Sequence, residues 1–117
     1  ASRGLGDVYK RQCNGSMILS GTLIGCNGTT TAFSNIWPDA LKQLLEQGIS
    51  GKYAEAESIQ EHIRRIDEIM LPYLATGIKT CLDLMGFEGM RPRQPSQPMA
   101  DHDLRRLQVE MESAGLI

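Results

Sequence analysis

The sequence predicts an α/β fold: the C-terminal piece of a larger α/β protein, with an all-helical extension appended. Three observations predict it. Residues 29–34, TTTAFS, are rich in strand-favouring side chains and lie between two helix-forming stretches. Their small and apolar surroundings suit a parallel strand covered on both faces. Beyond Gly51 only helical patterns follow, interrupted by one proline-rich loop. A lone strand cannot pair its own backbone groups, so its parallel neighbours are expected outside this chain.

The elements follow in order. Residues 1–12, ASRGLGDVYKRQ, show neither a strand nor a helix period and lack the apolar core of a signal peptide. They read as a foreign, adapter-like, disordered peptide. Next, SMILSGTLIGCNG (residues 16–28) spaces Met17, Ile18, Leu23 and Ile24 as a helix that tolerates Gly21. Gly25 is its expected stop. Three consecutive threonines then disfavour helix and open the strand, Thr29 to Ser34. Pro38 and Asp39 are good first-turn residues of a second helix. Leu41, Leu44 and Leu45 form its stripe, and Gly48 is expected to end it.

The clearest helix is GKYAEAESIQEHIRRIDEIMLPYL. Ala56, Ile59, Ile63, Ile66 and Met70 fall on one face, and Pro72 ends or kinks it. A short helix follows, with Ile78, Cys81, Leu82 and Met85 inward and Gly86 closing it. FEGMRPRQPSQP cannot be regular structure. Arg91 and Arg93 there could fork onto a phosphate or carboxylate. A rigid connector whose arginines pair with acidic side chains is the favoured reading. The last helix has Asp101 as its expected N-cap and Leu104, Leu107 and Met111 as its stripe.

Composition excludes several functions. The 117 residues fit one domain and are 41% hydrophobic. A net charge of −2 offers no basic field for nucleic acid or an anionic membrane. Aromatic residues are only 5%, too few for base stacking. No apolar run approaches the roughly 18 residues of a membrane helix. Cys13, Cys26 and Cys81 are too widely spaced for a zinc site or a disulfide framework, and are expected reduced and mostly buried. His62 and His102 lie apart among charged residues, where a surface role is expected.

Several spaced motifs occur together and in order. Gly25, Gly28, Asn35 and Pro38 come first; EQGISGKYAEA, GIKTCLDLMGF, RPRQPSQPM and LRRLQVEMESAGL follow. In that arrangement, residues from about Cys13 to Ile117 resemble the C-terminal part of the dihydrodipicolinate synthase and N-acetylneuraminate lyase family. The resemblance implies a (β/α)8 TIM barrel with a helical C-terminal extension. Residues 13–50 would be the end of the barrel: helix seven, strand eight and helix eight. Residues 51–117 would be the extension.

The resemblance also implies a chemistry. Family members are class I aldolase-type lyases and synthases. A barrel lysine forms a Schiff base with pyruvate or another 2-keto acid, and a tyrosine from another strand moves protons. That lysine must be neutral to attack. Neither residue is expected here. Lys10 is in the foreign arm, Lys42 and Lys52 sit among polar residues, and Lys79, Tyr53 and Tyr73 lie on extension helices. What the chain would contribute is wall. Thr30, Thr31 and Gly28 would line the substrate pocket, and Asn35 would support the turn. Where relatives often carry Ile, Thr30 could reach a carboxylate or water, or bond a local carbonyl. Both readings stand at this point. Cys13 falls where the family has glycine. Gly15 and Ser16 replace the acidic residues of sialic-acid lyases, which leaves that end of the pocket roomy and weighs against sialic acid.

The sequence therefore predicts a piece of a Schiff-base-forming, 4-hydroxy-tetrahydrodipicolinate synthase-like enzyme, itself inactive. No metal and no organic cofactor is implied. The expected setting is a cytoplasmic homo-oligomer, a tetramer, without nucleic-acid or membrane partners. The alternative is an independent helical interaction module without catalysis.

Overall fold

The computed structural model describes residues 11–117. Strand β1 (Arg11–Gln12) and strand β2 (Gly28–Thr29) run parallel, with Arg11 opposite Gly28 and Gln12 opposite Thr29. Between them lie a 3-10 turn, Gly15–Met17, and helix α1, Ile18–Leu23. Parallel strands require such a crossover, so residues 11–29 hold a small βαβ unit. Gly25, at φ +91°, turns the chain from α1 toward β2. The foreign peptide expected over residues 1–12 lies outside the described residues up to residue 10. Arg11 and Gln12, expected to be disordered, are instead strand.

The expected strand is corrected too. It covers Gly28–Thr29 rather than Thr29 to Ser34, and Ala32–Asn35 form a 3-10 turn. Side-chain bonding explains the difference. Thr31 Oγ1 accepts from Phe33 N at 3.2 Å and caps the turn. Ser34 Oγ donates to the Thr31 carbonyl at 2.7 Å, and Asn35 Nδ2 to the Ala32 carbonyl at 2.9 Å. These local bonds offer the backbone an alternative to a ladder.

Helix α2 (Pro38–Ile49) has Pro38 in its first turn, as expected. Gly48 does not end it. That glycine is buried where α1 crosses, and a Cβ there would lie 2.5 Å from Thr22 Oγ1. The turn belongs to Gly51, at φ +78°. Helix α3 (Tyr53–Met70) is the axis of the core. Its Ala56, Ile63 and Ile66 are fully enclosed, together with Leu44 of α2. Gln60 ties α3 to the βαβ unit: its Nε2 donates to the Gly15 carbonyl at 3.0 Å, and its Oε1 accepts from Leu19 N at 2.9 Å.

A 3-10 turn, Leu71–Tyr73, follows Met70 where Pro72 denies the helix a donor. Helix α4 (Ala75–Leu84) then buries Cys81, whose thiol lies 3.2 Å from Met70 Sδ. Residues 86–100 form the proline-rich loop. Helix α5 (Asp101–Ser113) packs Leu107 and Met111 into the same core. Its N-cap is Ala100, not Asp101, so Asp101 serves the helix dipole from the first turn. The cysteine expectation holds only in part: Cys81 is buried, Cys26 half-buried and Cys13 exposed, and all three are free thiols.

Candidate functional site

The carboxyl end of β2 and the turn after it bring the expected site residues together. Gly28 is half-buried beside Arg11; a Cβ there would lie 3.2 Å from Arg11 Cγ. Gly28 and Thr29 line a cleft of about 440 Å3 that β2 shares with Pro38, Leu41 and Lys42 of α2. Thr30 is exposed. The adjoining Thr31 carbonyl is taken by Ser34 Oγ. Thr31 is half-buried and commits its oxygen to the backbone of Phe33. Asn35 is exposed, and its Nδ2 donates to the Ala32 carbonyl within the turn.

Gly15 is not an open pocket wall. It is buried, and a side chain there would meet Thr31 Oγ1 at 3.2 Å, Phe33 Cβ at 3.6 Å and Ile63 Cγ2 at 3.7 Å. Its smallness serves packing beneath the turn. Ser16 Oγ donates to Asp67 Oδ2 at 2.7 Å, so this hydroxyl joins α3 instead of facing a ligand.

None of the three described lysines lies on a strand. Lys42 is on α2, Lys52 precedes α3, and Lys79 is half-buried on α4. Lys10 lies outside the described residues. Tyr73 Oη donates to Asp103 Oδ2 at 2.5 Å and accepts from Ala100 N at 3.3 Å. That carboxylate holds the phenol's proton and raises its pKa, while the Tyr73 bond lowers that of Asp103. The pair fastens α5 to the turn after α3. Tyr53 is exposed at the start of α3.

His102 is exposed, as expected, but His62 is half-buried with its Nδ1 enclosed and unpartnered. Among the described residues, no cluster of three His, Cys, Asp or Glu could hold a metal ion. Among them, no helix is long and apolar enough to cross a membrane. The arginine expectation is corrected as well: the ion pairs formed among the described residues involve Arg64, Arg65, Arg106 and His102, and neither Arg91 nor Arg93. The sequence missed the side chains that organise the site from below, Gln60 and Asp67. Both sit on the polar flank of an amphipathic helix, where no pattern distinguishes them from solvated residues.

A parallel strand pair with its crossover helix, a following helix and a helical extension defines an α/β protein. The profile of the Dihydrodipicolinate synthetase family matches residues 12–114, and the chain belongs to that family. It is similar to a 4-hydroxy-tetrahydrodipicolinate synthase of Chlorobium limicola, 31% identical over 102 residues. That match covers 86% of this chain and 34% of the relative, so the chain spans about a third of the relative's length. A solved dihydrodipicolinate synthase superposes with a TM-score of 0.84 at 21% identity, over 94% of this chain and 38% of that one. The N-acetylneuraminate lyase of Fusobacterium nucleatum superposes at 0.79 with 23% identity, over 96% and 39%. At these identities the two structures speak for the fold alone.

Proposed function

We propose that this chain supplies the closing part of a (β/α)8 barrel and the helical extension of a carbon–carbon lyase or synthase acting on pyruvate or another 2-keto acid. In this reading β1 is the end of the seventh barrel strand and β2 belongs to the eighth. Helices α1 and α2 are the helices that follow them, and α3 to α5 form the extension. The observation that carries it is the parallel register, Arg11 with Gly28 and Gln12 with Thr29, inside a chain of this family. Neighbouring barrel strands are parallel and joined by a crossover helix.

The chemistry proposed for the whole enzyme is Schiff-base catalysis. A neutral lysine amine attacks the keto carbon and water leaves. The resulting iminium accepts the electron pair as a carbon–carbon bond breaks; in the forming direction it first gives up a proton, and the enamine so produced supplies the pair to the partner's carbonyl carbon. The lysine and the proton-moving tyrosine come from strands that precede β1. One of the superposing structures, the Fusobacterium nucleatum lyase, is a complex with pyruvate, in line with the proposed substrate class. Active sites of such barrels lie at the carboxyl ends of strands. Gly28 opens the short β2, and Thr30 and Thr31 follow directly on its carboxyl end; the three are proposed to line the substrate pocket, with Asn35 holding their turn. No metal and no organic cofactor takes part in this scheme. The proposed setting is a cytoplasmic homo-tetramer.

Recovering the coding sequence upstream tests the reading. Alternating strands and helices with a lysine in a strand would support it. A start codon just before Cys13 would instead favour a self-contained helical module.

A further inference from the structure

The loop 86–100 folds back onto α4 and closes a cleft of about 440 Å3. Gly89 allows the closure. A Cβ at that position would lie 2.0 Å from the Lys79 carbonyl oxygen, so only glycine fits against the helix backbone. The Gly89 N–H donates to Asp83 Oδ1 at 2.7 Å and fastens the loop there.

The lining of this cleft is chemically one-sided. Lys79 of α4 and Arg91 of the loop both border it. Neither enters an ion pair among the described residues. Thr76 also borders the cleft, is only 3% exposed, and has an Oγ1 with no hydrogen-bond partner. A buried hydroxyl is costly to leave unpaired. Thr76 lies in the first turn of α4, where the helix dipole also favours negative charge. Thr80 spends its proton on the Thr76 carbonyl at 2.8 Å, whereas the Thr76 hydroxyl is not so spent. The one carboxylate in the wall, Asp83, lies a turn further along α4 and is occupied by Gly89.

We propose that this cleft is a binding site for a small oxyanion, the phosphate or carboxylate group of a metabolite-sized ligand. Lys79 and Arg91 supply the charge, and the Thr76 hydroxyl supplies a buried donor. Arginine forks suit both groups, and hydrogen bonds to a charged partner are the strong ones. The Asp83 end of the cleft favours a hydroxyl or ammonium on the rest of the ligand. This inference stands on the extension alone and is independent of the reading of the barrel end.

The test is a titration of the isotopically labelled chain, followed by amide resonances at constant ionic strength. One arm uses inorganic phosphate, a second acetate, and sodium chloride is the control. Saturable shifts at Thr76, Lys79 and residues 89–92 are expected with phosphate or acetate, and the stronger of the two identifies the group. Arg91→Ala, at an exposed position outside the core, should weaken binding about tenfold or more. Thr76→Val keeps the shape and removes the donor, and should weaken it by a smaller factor. Equal shifts with chloride, no saturation with either anion, or binding that Arg91→Ala leaves unchanged would overturn the proposal.

Discussion

Glu61 shows what single side chains do on the long helix. It accepts from Arg64 Nε at 2.9 Å and from Arg65 Nε at 2.8 Å, one turn away. Hydrogen bonds from these two arginines, with a further one from Arg64 Nη2 at 2.8 Å, hold its carboxyl at about 2, below the ordinary 4.5. A carboxylate with a lowered pKa contributes stability above its ordinary value and loses it as pH falls toward the lowered one. The pair lies on the surface, so the contribution is modest and salt-sensitive. Urea midpoints measured from pH 5 down to pH 2 should therefore fall, and Glu61→Gln should flatten part of that slope. A slope unchanged by Glu61→Gln would remove Glu61 from the account. At Cys81 burial has the opposite effect and pushes the thiol up to about 12. That thiol is packing material.

At the scale of elements, the helices were legible and the strand was not. The stripes at Leu41 and Leu44, at Ile63 and Ile66, and at Leu107 and Met111 are long and regular, and each is buried as its period requires. The threonine run offers two signals that compete. Branching at Cβ favours strand, while the hydroxyls favour local backbone bonds, and at Thr31 the hydroxyl wins. Thr31→Val should thus cost about 1 kcal/mol through the lost cap, seen as a lower urea midpoint with an unchanged slope. An unchanged midpoint would mean that Thr31 does not hold the turn. β1 was illegible for another reason: Arg11 and Gln12 carry no alternation, and only the partner strand marks them. The cleft over α4 escaped the sequence because its closure depends on a single close approach, Gly89 to the Lys79 carbonyl. Leu74 and Met90, at φ +51° and +64°, likewise sit where no propensity would place them.

For the whole molecule, the core is continuous from α1 through α5, yet much apolar surface stays outside it. Ile24 is 79% exposed, Leu74 75%, Met90 75%, Leu71 65% and Phe87 63%. The radius of gyration, 15.5 Å, exceeds the roughly 13 Å of a compact domain of this length. Such a surface should drive self-association of the isolated chain, and sedimentation velocity across a tenfold concentration range should show it. A concentration-independent monomer would contradict this. The family was legible, since the glycine, asparagine and proline spacing around β2 pointed to it before any geometry; the parallel register was not, because its partner strand falls where disorder was expected. The proposed division of labour rests on where the nucleophile lies. Borohydride trapping of the purified chain with pyruvate, read by peptide mass spectrometry, tests that most directly. The account predicts no covalent pyruvyl adduct on any residue; a specific, saturable adduct on Lys42, Lys52 or Lys79 would contradict it.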